Sequence, residues 1–205
     1  MTSTWRELVP GNIYDKRGTK NPIARVLYRS YLRALDELLP RETPNEILEV
    51  GSGEGLIVEH VRRAFPESKV AAIDLSIEMA RMTRDRIAGT RCVCASAHEI
   101  PFPAKRFDLI LCVEVLEHLL FPEQAMHEIV RVARGHVILS VPREPLWRVL
   151  NVLRGAYCRD LGNTPGHIQH WTARDFVQFV GGFIEIQEIR IPLPWVMIAG
   201  RLKGI

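Results

Sequence analysis

The chain has 205 residues, 47% of them apolar, which is enough for one domain with a full core and an ordinary composition for a globular protein. Its 27 basic and 24 acidic side chains leave a net charge of +3, weaker than the concentrated basic surface of a dedicated nucleic-acid binder, so nucleic acid is not an expected partner. No apolar run approaches the roughly 18 residues that a membrane span needs, and Arg6 and Glu7 stand near the start with no apolar leader core, so a cytoplasmic protein is expected.

Residues 1–20, with Pro10-Gly11 and Gly18, read as irregular. Asn21-Pro22 reads as a helix cap followed by proline at the first helical position, and apolar residues from Ile23 to Leu39 recur at helical spacing, predicting an amphipathic helix over 22–39. Arg25, Arg29 and Arg33 share its polar side; such a run is usually a solvated face, and the functional alternative has one arginine reaching a ligand carboxylate. The run Glu46-Ile47-Leu48-Glu49-Val50 then stops in Gly51-Ser52-Gly53-Glu54-Gly55, and a helical pattern follows at once. Strand, glycine turn and helix start hold an anionic group of a nucleotide-like ligand, because glycines let the backbone approach it and the first N–H groups of the helix attract it. A dinucleotide fingerprint needs glycine or alanine where Leu56 stands, and the third glycine comes early, at Gly55; this spacing favours S-adenosylmethionine over NAD.

From residue 46 the pattern alternates. Short apolar runs at 46–50, 70–74, 91–95, 108–115 and 136–141 suit parallel strands buried on both faces, with helices at 55–65, 76–88 and 122–133, the last bracketed by Pro122 and Gly135. Runs 183–191 and 195–202 are joined across Pro192-Leu193-Pro194, which demands antiparallel pairing. The expected fold is a doubly wound, Rossmann-like α/β sheet of seven strands, mostly parallel, with an antiparallel C-terminal hairpin. One domain is expected over 1–205: an N-terminal helical segment (1–44), a cofactor-binding core (45–141), an insertion (142–171), and a terminal helix and hairpin (172–205). The insertion carries a short helix, apolar nearly all round, from Leu146, and then a polar loop to Trp171. It follows the fifth strand, at the carboxyl edge where ligands bind, and reads as a substrate lid; the alternatives are a helix packed in the core, or peripheral membrane contact through Trp147 and Leu150. Its Arg143, Arg148, Arg154 and Arg159 would suit an amphiphilic or anionic acceptor. Cys92, Cys94 and Cys112 fall in strand runs and Cys158 in a loop, and no spacing suggests a metal or a disulfide, so reduced thiols are expected.

The motif Glu49-x-Gly51-x-Gly53-x-Gly55 resembles motif I of the class I S-adenosylmethionine-dependent methyltransferases. Val70–Met79 resembles their second strand with its acidic end, Phe107–His118 their fourth, and His167-Ile168-Gln169-His170-Trp171-Thr172 the segment before the last helix in quinone-type and related small-molecule methyltransferases. The resemblance runs from about residue 45 to the end. It implies S-adenosylmethionine as cofactor, with Glu49 serving its ammonium beside the glycine loop, Asp74 its ribose hydroxyls, and Leu75 or Met79 its ring. Ser96 and Ala97 stand where relatives place an adenine-contacting aspartate and alanine, Cys112 on the fourth strand joins the cofactor-binding set, and Arg25 matches an N-P-x-R arginine displaced by one residue.

Glu114-x-x-Glu117-His118 places two carboxylates and an imidazole on one helical face if the chain turns helical at 114. With His167 as a fourth ligand, the set suits a divalent cation such as Mg²⁺, and metal-dependent RNA 2′-O-methyltransferases and quinone O-methyltransferases look similar here. Without a metal, His118, His167 or His170 is available as general base for the acceptor's proton, with His118 and His167 the first candidates. The expected function is methyl transfer to a small-molecule acceptor at oxygen. The alternatives are an RNA 2′-O-methyltransferase, an NAD-dependent oxidoreductase, and a non-catalytic partner with a cofactor fold.

Overall fold

The computed structural model describes residues 21–153 and 155–204. The irregular reading of 1–20, and Arg154, lie outside the described residues.

Helix α1 spans Pro22–Leu38, and Asn21 caps it as expected, its Oδ1 accepting the N–H groups of Ile23 and Ala24. Seven strands follow: β1 (Glu46–Val50), β2 (Lys69–Asp74), β3 (Arg91–Cys94), β4 (Phe107–Val113), β5 (Ala133–Pro142), β6 (Ile184–Arg190) and β7 (Trp195–Leu202). Between them lie α2 (Leu56–Ala64), α3 (Ile77–Arg86), α4 (Pro122–Val132), α5 (Leu146–Leu153) and α6 (Ala173–Gly181). The strands form one sheet in the order β3-β2-β1-β4-β5-β7-β6. The first five pair in parallel, while β7 pairs antiparallel with both β5 and β6. This is the expected doubly wound sheet with its antiparallel hairpin. Because β1 sends the chain one way and its neighbour β4 the other, the crevice at their carboxyl ends is where an open α/β sheet takes a ligand.

The alternation of side chains along each strand divides the core in two. Leu48, Val50, Ile110 and Leu139 face α4 and α6 through Met126, Ile129, Phe176 and Val180. Ile47, Leu109, Leu111 and Ile138 face α1 and α2 through Leu35, Leu38, Val58 and Val61. Ser76 caps α3, and Thr172 caps α6 with Asp175 bonded back to it. Among the described residues, no helix is long and apolar enough to cross a membrane.

Two of the boundaries that differ from expectation have tertiary causes. The fourth helix ends at Val132, and Gly135 belongs to β5 instead of closing the helix. A Cβ there would lie 2.3 Å from the Asp108 carbonyl oxygen, at the irregular register between Phe107 and Leu109, so glycine is required by close strand packing. Strand β4 stops at Val113, because Glu114 turns into the left-handed region with φ of +60°. A 3₁₀ turn at Leu116–His118 follows in place of an α-helical start at 114.

Candidate active site

Gly51, Gly53 and Gly55 carry the chain out of β1 with φ of +75°, +50° and +78°. A Cβ on Gly51 would lie 2.3 Å from Val115 Cγ2, whereas one on Gly53 would meet nothing within 4 Å. The loop thus closes against its neighbour at Gly51 and leaves open backbone at Gly53. Gly55 precedes α2 without a side chain to cap it, so the helix's first N–H groups suit a carboxylate. From the other side, buried Thr83 donates its hydroxyl to the Gly53 carbonyl at 2.9 Å. Gly51→Ala is expected to cost about 1–3 kcal/mol, since both the positive φ and a side chain stiff at χ1 oppose the added Cβ. Calorimetry should show a fall in Tm larger than that of Gly53→Ala; equal falls would refute this account of the loop.

Two carboxylates flank the loop. Asp74, at the end of β2, accepts the Gly53 N–H on one oxygen and the Ser76 N–H on the other, each at 2.8 Å. Each carboxylate oxygen keeps a further acceptor site, so Asp74 shapes the turn and can still receive vicinal hydroxyls. Glu49 is buried, and its Oε2 has no hydrogen-bond partner. Burial first, and then repulsion from Asp74, hold its carboxyl well above the usual range, against the Val58 N–H. Among the described residues, no ion pair reaches either acid. A buried acid with an orphaned oxygen beside a second acid calls for a cation. An α-ammonium at the loop fits that demand, with its carboxylate at the start of α2.

Leu75 is 41% exposed beside Asp74, and Met79 is half-buried, leaving apolar surface for a ring next to a hydroxyl-binding acid. Ser96 and Ala97 are buried just past β3. The Ser96 hydroxyl is already engaged: it accepts the His98 N–H at 3.1 Å and lies 3.2 Å from His98 Nδ1. Burial lowers the pKa of that imidazole, opposed by a bond to the Phe121 backbone. Arg25 is exposed in the first part of α1, and among the described residues no hydrogen bond or ion pair joins its side chain to the loop. Cys112 requires a correction. It has no exposed surface, packs in the core with Leu48 and Leu139, and burial pushes its thiol far up, so it has no surface to offer a cofactor.

The acidic-histidine motif is brought together in part. Ligand atoms of Glu117, His118 and His167 all lie within 4.8 Å of one another. The His118 and His167 rings meet edge to face at 4.9 Å, and Trp147 stacks on His167. His118 Nδ1 lies 2.9 Å from the Gly166 carbonyl oxygen, which can only accept; Nδ1 therefore carries the proton, and Nε2, 3.9 Å from Glu117 Oε1, presents a lone pair in the neutral ring. Segment 164–169 is stitched to this turn: Ile168 and Gln169 donate their N–H groups to the Glu117 carbonyl, and the Gln169 side chain donates to the Leu119 carbonyl.

Glu114 stands apart from this group, because its left-handed backbone turns the carboxylate to the other side. Oε2 accepts the Trp195 indole N–H at 2.6 Å, and Oε1 accepts the Ser140 hydroxyl at 3.2 Å. Ser140 in turn receives Tyr31 of α1 at 2.9 Å, whose hydroxyl pKa is raised by burial first and by the Glu114 charge second. His170 is also outside the group, exposed and bonded to Asn163. Neither the Glu114 network nor the brace from Thr83 was readable beforehand, since their partners lie 26 to 109 residues away in the chain.

Residues 48–141 match a family model described as a methyltransferase domain. The chain is 31% identical over 130 residues to a malonyl-[acyl-carrier protein] O-methyltransferase of Halorhodospira halophila, covering 61% of this chain and 43% of that one. It is 29% identical over 119 residues to a ubiquinone/menaquinone biosynthesis C-methyltransferase of Ralstonia nicotianae, covering 55% and 49%. It spans about half the length of the curated relatives it matches. A solved S-adenosylmethionine-dependent methyltransferase from Aquifex aeolicus shares the fold with a TM-score of 0.69 at 17% identity, over 89% of this chain and 94% of that one. Glycine loop, flanking acids, sheet order and matched segment agree: the chain carries a methyltransferase domain of the class I S-adenosylmethionine-dependent kind.

Proposed function

We propose that this protein transfers a methyl group from S-adenosylmethionine to an oxygen of a small-molecule acceptor. The observation that carries the oxygen reading is the arrangement of His118, whose Nδ1 is fixed on the Gly166 carbonyl while Nε2 is presented beside Glu117 and His167. A proton acceptor held in one tautomer is what a hydroxyl acceptor needs.

The bound sulfonium supplies the methyl group and is itself an excellent electrophile. The chain's residues position and deprotonate. Glu49 meets the cofactor's ammonium, the backbone at Gly53 and the start of α2 hold its amino-acid end, and Asp74 holds its ribose. Ser96 and Ala97 lie on its adenine side, with Leu75 and Met79 against its ring, and Arg25 is the further candidate for its carboxylate. His118 Nε2 takes the acceptor's proton, while the nearby Glu117 carboxylate favours the imidazolium that results. His167 borders the acceptor, and segment 142–171 serves as its lid. Incubation with S-adenosylmethionine and a panel of phenols, catechols, carboxylic acids and amines tests this by mass spectrometry. O-methylated product is expected; methylation of amines alone would replace oxygen by nitrogen.

The same three side chains support a second reading. One carboxylate and two imidazoles converging within 4.8 Å form a donor set that fits a divalent cation. Glu117, His118 and His167 would hold it, and a bound cation would lower the pKa of an acceptor hydroxyl. Calorimetric titration of Mg²⁺, Mn²⁺ and Zn²⁺ into the protein saturated with S-adenosylhomocysteine, beside Glu117→Ala, decides it. Saturable binding that is lost in the variant is the outcome for a cation site, and no heat from any of the three ions retires it.

A further inference from the structure

The outward face of α5 is apolar and exposed. Helix α5 divides cleanly. Trp147 and Asn151, one turn apart, face inward: the Trp147 indole donates to Thr164 Oγ1 at 2.8 Å, and the buried Asn151 amide donates to the Gly162 carbonyl at 2.8 Å and to Thr164. Of the two side chains offered as an alternative membrane contact, Trp147 and Leu150, the first has its ring stacked on His167. Val149, Val152 and Leu153, at i, i+3 and i+4, share the opposite face and are 49%, 43% and 76% exposed.

Leu161, 72% exposed, joins them from the following loop. Its backbone is in the left-handed region with φ of +50°, an uncommon state for a branched side chain, and Arg148 Nε donates to its carbonyl at 3.1 Å. The next residue, Gly162, packs so closely on α5 that a Cβ would lie 2.1 Å from the Arg148 carbonyl oxygen. Hydrogen bonds and close packing therefore hold Leu161 beside the helix and outward.

A second observation lies alongside. A recess of about 640 Å³ opens next to Leu161, lined by Arg148, Arg159, Asn163 and His170, with Asp160 the acid on its wall. Guanidinium groups recognise phosphate oxygens in pairs. Arginines at the border of an exposed aliphatic face make the pattern of a helix lying in a membrane interface: the aliphatic side chains enter the acyl boundary, and the cations stay with the headgroups.

We propose that this face docks on a bilayer surface bearing anionic phospholipid, with Val149, Val152, Leu153 and Leu161 inserted and Arg148 and Arg159 against lipid phosphate. An acidic protein would satisfy the arginines but leave the protruding leucines in water. A second copy of the chain would bury the leucines but bring like charges together. The proposal does not depend on the acceptor's identity.

The test is co-sedimentation of the full chain with vesicles of phosphatidylcholine alone or mixed with phosphatidylglycerol. Association with the mixed vesicles is expected to weaken as salt rises. Leu153→Glu with Leu161→Glu should reduce it at least about tenfold, with S-adenosylhomocysteine affinity and Tm unchanged because both positions face solvent. Arg159→Ala should reduce the preference for the anionic vesicles. Absence of wild-type binding to either vesicle, or equal binding by the double variant, overturns the proposal. So does a wild-type dimer in sedimentation velocity that the double variant dissolves without any vesicle association, which would assign the face to a second copy.

Discussion

Glu49→Gln is expected to make the cofactor-free protein more stable toward alkaline pH and, at the same time, to weaken S-adenosylhomocysteine binding by about ten- to a hundredfold. The two effects share one cause. In the free protein, Glu49 is buried with an orphaned oxygen and repelled by Asp74, so its carboxyl is held well above the usual range. A group whose pKa is raised on folding contributes stability that is full below the unfolded value, near 4.3 for a glutamate, and is lost as pH rises through the folded value. The wild-type protein should therefore lose Tm with rising pH over that window, and the neutral amide should flatten the slope. In the complex, the ammonium favours the charged form and lowers the carboxyl's pKa, so wild-type binding expels a proton where the pH lies between the bound and free values. Removing the charged acceptor forfeits about 1.5–3 kcal/mol, the usual worth of a hydrogen bond to a charged group, which corresponds to about tenfold or more in Kd. Calorimetric titration in two buffers of different ionisation enthalpy reads the proton directly. Proton release in the wild type and none in the variant is the expected pair; unchanged affinity in the variant would remove Glu49 from the cofactor site.

What was legible in the sequence is what local physics decides. Asn21 reads as a cap because its side chain bonds the first turn beside it, as those of Ser76 and Thr172 also do. The runs that became β1, β2 and β4 read as buried strands because both faces are apolar. The glycine loop was legible because three glycines so closely spaced have few other uses, and all three do take positive φ. The failures lie where a distant partner decides. Glu114 has the spacing of a ligand, yet Trp195 and Ser140 hold its carboxylate on the other side of the strand end, and no helical count from 114 applies across a left-handed residue. Cys112 lies on the right strand, but its side chain points into the core. Gly135 looked like a helix terminator because the Asp108 carbonyl that excludes a Cβ is 27 positions away. Within the acidic-histidine motif, residues 117 and 118 survived because a 3₁₀ turn still places neighbours together, and His167 joined them only because backbone hydrogen bonds stitch 164–169 to that turn.

The second large effect concerns His118. His118→Ala should lower kcat by about 10²–10⁴, the usual contribution of a positioned general base, while leaving the Kd for S-adenosylhomocysteine within about threefold. The split follows from the geometry: the imidazole is bonded to Gly166 and borders Glu117 and His167, whereas the loop that holds the cofactor is shaped by Asp74, Thr83 and Val115. Added imidazole should restore part of the turnover, because the variant leaves a ring-sized space beside the Gly166 carbonyl. Glu117→Gln then separates the two readings of the site. If His118 acts alone as the base, Glu117 only favours the imidazolium, and the variant should lose on the order of tenfold with no response to chelators. If a cation is held, Glu117→Gln should fall as far as His118→Ala, and a chelator should reproduce the loss in the wild-type protein. Full turnover by His118→Ala would defeat both readings and move the proton to the carboxylate of Glu114, which the Ser140–Tyr31 chain connects to α1.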